Sequence, residues 1–179
     1  MSLALATLIP GLLLVVLGLP LVLATPGAAS VLKRFPRSRF AAGVCFGAGA
    51  VWFLYNIWNL PSADFGDYRT ALFFAFFVIA ALAFKCVPDF LAVRGVCVLV
   101  LLGAMPLLDS AYMRYDIPRR LFMVSAVYLC IALALWLGAQ PYRLRDFLEW
   151  LFARPGRARA LGVLIAAYGL LLCAVSLSY

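Results

Sequence analysis

The chain has 179 residues, of which 67% are hydrophobic and only 12% charged, and it carries a net charge of +8. Soluble domains average about 45–50% apolar and about 25% charged residues, so a water-soluble fold of this length has nowhere to hide so much apolar surface. No polar or Pro/Ser-rich linker divides the chain, and one transmembrane domain covering residues 1–179 is expected.

A helix needs roughly 20 apolar residues to cross the hydrocarbon core. Six blocks of suitable length lie near 4–24, 40–58, 70–87, 91–108, 120–138 and 160–178. The fold class they define is an all-α polytopic membrane protein. In the first block, no basic residue precedes the apolar run and Lys33-Arg34 follow it, the reverse of a signal peptide, so a retained helix with an outward N-terminus is expected. Pro10-Gly11 and Gly18-x-Pro20 could break this helix in the way transporter sites require. The third block is the weakest, because Thr70 to Phe84 is all that separates Arg69 from Lys85. Snorkelling of both side chains would let it span; the alternative is five spans with one re-entrant segment.

Six spans sort the loops into two sets. One set holds Lys33, Arg34, Arg37, Arg39, Lys85, Arg94, Arg143, Arg145, Arg154, Arg157 and Arg159, eleven of the fifteen basic residues, with three carboxylates, for a net +8. The other holds Arg69, Arg114, Arg119 and Arg120 with four carboxylates, for a net of zero. Cytoplasmic loops retain Lys and Arg, so the basic set is expected inside and both termini non-cytoplasmic, in a bacterial cytoplasmic membrane. That asymmetry also accounts for the whole basic charge as attraction to anionic headgroups, and nucleic acid is excluded as a partner.

Glycines recur within the spans. Gly43 and Gly47 form a GxxxG with Ala50 beyond it, and Gly162, Ala166 and Gly169 fall at i, i+4 and i+7. In lipid, such small-residue stripes let backbones approach closely, so these are the helix-packing candidates. Arg39 followed by Gly43-Val44-Cys45, then Arg94-Gly95-Val96-Cys97, and Arg159 followed by Gly162-Val163-Leu164 also hint at three related hairpins. An arginine at the inner edge with glycine in the first turn is, however, common to many membrane helices.

The segment Pro141 to Arg154 differs from the rest. Leu144, Phe147, Leu148 and Leu151 fall on one helical face flanked by Arg143, Asp146 and Arg154, and Trp150 suits the headgroup level. An amphipathic helix near 142–153 lying on the cytoplasmic surface is expected. Its contact residues would be Phe147, Leu148, Trp150 and Leu151, set against lipid, a partner or the bundle's own end.

Several chemistries lack their residues. The absence of histidine removes imidazole ligation of haem or zinc and Ser-His or Cys-His catalysis. All seven carboxylates fall in loops or at helix ends, whereas ion-coupled transporters usually place one near the bilayer centre. Five cysteines, at 45, 86, 97, 130 and 173, form no CxxC; small apolar packing explains them as well as a metal, Fe–S or palmitoyl role does. Phosphate-binding loops, nucleophile elbows and EF-hand spacing are missing. No cofactor is expected.

On the outer side, Asn56, Asp64, Asp67, Arg69, Asp109, Arg114 and Asp116 form the richest polar group, among Tyr68, Tyr112 and Tyr115. Interfacial anchoring accounts for such residues, and intersubunit ion pairs are the functional alternative. By elimination the chain reads as a non-catalytic structural, assembly or accessory subunit of a larger membrane complex. Its expected partners are membrane lipids and either other membrane subunits or copies of itself. A small carrier or binding protein for a neutral or lipid-like molecule is the alternative, followed by a lipid-modifying enzyme using Asp and Arg at an interface.

Overall fold

A computed structural model describes residues 1–61 and 64–179; Ser62 and Ala63, within the expected outer loop from Asn59 to Arg69, lie outside the described residues. Among the described residues eight α-helices follow one another: α1 Leu3–Leu23, α2 Pro26–Arg34, α3 Arg39–Trp58, α4 Arg69–Cys86, α5 Leu91–Ala111, α6 Arg120–Ala139, α7 Tyr142–Phe152 and α8 Pro155–Ser176. Short 3₁₀ turns at Phe35–Arg37 and Gly66–Tyr68 lead into α3 and α4. Six helices, all but α2 and α7, are long and apolar enough to cross a membrane.

Local chemistry sets several of these boundaries. Ser2, Thr25 and Ser38 each cap a helix, their hydroxyls accepting from the backbone N–H of Leu5, Ala28 and Ala41 at 3.4, 3.3 and 3.2 Å, which satisfies donors that a helix start leaves free. Thr25 is followed by Pro26 at the first helical position, where a missing N–H costs nothing. The stretch expected as a loop from Thr25 to Arg39 therefore contains a helix, α2. Pro10 and Pro20 do not divide α1, which runs unbroken from Leu3 to Leu23. The doubtful third span is likewise one continuous helix of 18 residues rather than a re-entrant segment.

Packing joins helices distant in sequence. The first and last spans, α1 and α8, run antiparallel in the most extensive interface, α3 and α5 lie parallel, and α6 packs antiparallel on α5. Contacts of α1 with α5 and α6 tie these groups together, and α4 packs mainly on α3, at the edge of the bundle. Three packed hairpins are not what forms: α1/α3, α4/α5 and α6/α8 scarcely meet, although the Tyr168 hydroxyl of α8 donates to the Phe122 carbonyl of α6 at 2.8 Å.

Hydrocarbon is as apolar as leucine, so close van der Waals contact rather than water exclusion holds the spans together. The glycine stripe of α8 meets one on α1: a Cβ at Gly162 would lie 2.6 Å from the Val22 nitrogen, and one at Gly169 2.7 Å from the Gly11 carbonyl oxygen. Gly18 reciprocates, its Cβ position 2.9 Å from the Gly162 carbonyl oxygen. Between α3 and α5, Gly95 abuts the backbone of Cys45 and Phe46, so two of the Gly-Val-Cys segments pack on each other.

Candidate functional site

At the basic end, α7 lies across the ends of α1, α6 and α8. Leu148 and Leu151, 7% and 2% exposed, are buried with Leu21 and Ala158, and Leu32 of α2 and Ile165 of α8 pack around them. The contact face read from the sequence thus divides in two. Leu148 and Leu151 belong to the chain's own interior, whereas Phe147 and Trp150 are exposed and stack on each other with ring centroids 6.0 Å apart.

Cations at this end engage aromatic rings more than carboxylates. Arg157 sits 4.4 Å over the Trp150 ring and donates to the Trp150 carbonyl at 3.2 Å. Lys33 lies 5.9 Å from the Phe152 ring and Arg37 5.5 Å from that of Phe90. Such contacts stabilise by about 0.5–1 kcal/mol each where exposed. Among the described residues Arg145–Asp146 is the one ion pair. The carboxylate accepts from Nε and Nη2 at 2.9 and 2.7 Å and pushes the guanidinium further up from its already high range. Being exposed, the pair adds little stability.

The helix-packing candidates separate as sharply. Gly162, Ala166 and Gly169 face α1, as described. Gly43 and Gly47 have open space within 4 Å of a Cβ position; of the other glycines in the six spans, only Gly156, in the first turn of α8, is equally open. It is Gly49, on another side of α3, that meets α5, a Cβ there lying 3.0 Å from Val98 Cγ1. Gly47 instead lines a side-opening apolar groove of about 430 Å³ between α3 and α4, with Ala50, Leu54, Phe77, Ala80 and Phe84. Edge-to-face aromatic contacts at Phe46–Phe84, Phe53–Phe76 and Trp58–Phe73, 5.1 to 5.5 Å between centroids, join the two helices. No residue of α4 is buried.

At the neutral end, Asn56, Asp64, Asp67, Arg69, Asp109, Arg114 and Asp116 are all exposed. No hydrogen bond or ion pair joins the two loops at this end among the described residues. Asp109 and Arg114 line an open hollow of about 300 Å³ with Met1, Pro106, Ser110 and Tyr112. Arg120, one of the basic residues expected among the outer polar group, donates to the Ala111 carbonyl and lies 4.7 Å over the Tyr115 ring, closing the α5–α6 turn. The free cysteines form no group of three with other metal-ligating side chains among the described residues.

Six apolar spans with one strongly basic end define a multi-pass α-helical membrane protein. Comparison with known proteins finds no matching family model, curated relative or solved structure, so the functional reading rests on the chain's own residues.

Proposed function

We propose that this chain is a non-catalytic accessory subunit of a larger membrane assembly, and that a helix of another subunit or of a second copy docks at the α3–α4 edge. The observation that carries this reading is the contrast among the glycines. Those facing α1, α5 and α8 meet neighbouring backbone or side chains, while Gly43 and Gly47 stand open beside a helix that buries nothing. Small residues on a lipid-exposed stripe are the feature a further helix exploits to approach closely. The alternative, a small carrier for a neutral or lipid-like molecule, calls for a chamber around its cargo, and both hollows described above are open-sided.

Gly47→Leu tests the reading. A Cβ there meets no atom of the chain within 4 Å, and the groove beside it has room for the rest of the leucine, so the isolated protein should unfold at the wild-type temperature in mild detergent. The assembly, sized by light scattering and probed by copurification, should fall apart. Retention of the same size and the same copurifying subunits would overturn the proposal.

The reading also places the basic end in the cytoplasm. In a cysteine-free background, Asp116→Cys should react with a membrane-impermeant maleimide on intact cells and Ser30→Cys only after lysis; both positions are exposed, whereas Ser110 is buried and would report poorly. Labelling of Ser30→Cys from outside would reverse the orientation.

A further inference from the structure

α7 has a second face that its packing on the bundle leaves free. Arg143, Phe147 and Trp150 stand at i, i+4 and i+7 on one strip of the helix, and all three are exposed. Arg154 follows in the joint to α8, also exposed, and Arg157 reaches back from α8 over the Trp150 ring at 4.4 Å. The strip therefore combines three guanidinium groups with two stacked aromatic rings.

Its level is fixed by the opposite face of the same helix. Leu148 and Leu151 are packed against Leu21, in the last turns of α1, and Ala158, in the first turns of α8. α7 is thus held where the spans leave the hydrocarbon, the depth of the phospholipid headgroups. Glu149 projects away from the strip by helical phase, whereas Asp146, three residues after Arg143 and four before Trp150, borders it and is occupied by Arg145. Arg157 spends one of its five N–H donors on the Trp150 carbonyl, and a phosphate is the acceptor that a guanidinium fork matches best. The charge calls for an anion, and the exposed Phe147 and Trp150 beside it call for something apolar at the same depth.

We infer that this strip is a binding site for anionic phospholipid: Arg154 and Arg157 at one end of α7 and Arg143 at the other, about 16 Å apart along the helix, supply the charge that holds the phosphate groups, and Phe147 and Trp150 between them lie against the glycerol and upper acyl chains. The site is separate from the α3–α4 edge and does not depend on the assembly proposal.

The test uses the whole protein in mixed micelles containing phosphatidylglycerol and phosphatidylcholine of identical acyl chains in equal amount, with retained lipid read by native mass spectrometry. Wild type should retain phosphatidylglycerol preferentially. Arg143→Gln with Arg154→Gln should lower that preference by at least about tenfold, whereas Arg34→Gln with Arg39→Gln, at the same basic end but off the strip, should leave it within about twofold. Equal retention of the two lipids by wild type would overturn the inference, including the case in which an acidic protein copurifies instead. So would an equal loss in the control variant, which would make the preference a property of the whole basic end. A measurement that needs no variant is ionic strength. Raising salt to about 1 M shortens the screening length to about 3 Å and should remove much of the preference, and a preference that salt leaves unchanged would count against charge recognition.

Discussion

Leucine in place of Gly162 is expected to leave the chain inserted in the membrane but to cost it its folded bundle. The glycine lies in the α1–α8 interface, where a Cβ would stand 2.6 Å from the Val22 nitrogen and 2.8 Å from the Leu21 Cβ. Carbon atoms in favourable contact sit about 3.5–4.0 Å apart, so the two helices must separate even for alanine. Leucine adds three further carbons and would undo the reciprocal contact at Gly18 as well. Overpacking a well-packed interior costs about 1–3 kcal/mol, and here backbone rather than a flexible side chain must move, so a loss of about 3 kcal/mol or more is expected. Thermal unfolding in detergent, followed by the fluorescence of the four tryptophans, gives the measurement. Gly43→Leu, at a position open within 4 Å, should leave the midpoint unchanged. A Gly162→Leu protein that unfolds at the wild-type temperature would mean that α1 and α8 do not pack as described.

The spans were legible because the membrane imposes a length and a hydropathy that local sequence must meet. Which helix touches which was not, and the reason is physical. In water the buried face of a helix is marked by polar residues opposite; in lipid a span is apolar all round, so its hydropathy carries no direction. Glycine is the residue that still reports facing, and it did so in part. Gly162 and Gly169 announced a tight interface, whereas Gly11 and Gly18, which receive them, sit beside Pro10 and Pro20 and suggested a broken helix instead. α2 was hidden because its nine residues lie among Pro26, Gly27 and Pro36, which read as loop punctuation, although Thr25-Pro26 is a readable start signal. For α7 the amphipathic pattern gave the helix itself, but one apolar stripe served two neighbours, the bundle at Leu148 and Leu151 and the surroundings at Phe147 and Trp150. A stripe wider than one interface cannot be divided from sequence, because hydrophobicity names no partner. The outer polar residues, grouped by side of the membrane alone, prove to be exposed and unlinked between loops among the described residues.

Replacing both Leu148 and Leu151 by glutamate distinguishes the chain's own interior from a partner's surface, and the expected outcome is loss of fold. From sequence alone these leucines were as available to another subunit as to the bundle, and their replacement would then release a partner from an intact protein. In the structure Leu151 is 2% exposed and Leu148 7%, both against Leu21 and Ala158. Burying a leucine side chain is worth about 1.5–3 kcal/mol, and a carboxylate left without a hydrogen-bonding partner in the same place must either take up a proton or draw in water. The double variant should therefore lose about 4 kcal/mol or more, detaching α7 and with it the joint that leads α6 into α8. Tyr142→Glu, exposed at the first position of α7, adds one such carboxylate where the helix N-terminus favours it and should change stability by no more than about 0.5 kcal/mol. Unfolding midpoints of the three proteins decide the matter. A double variant with wild-type stability but missing companions would show that another chain covers this face in the membrane, and would move the docking surface from the α3–α4 edge to α7.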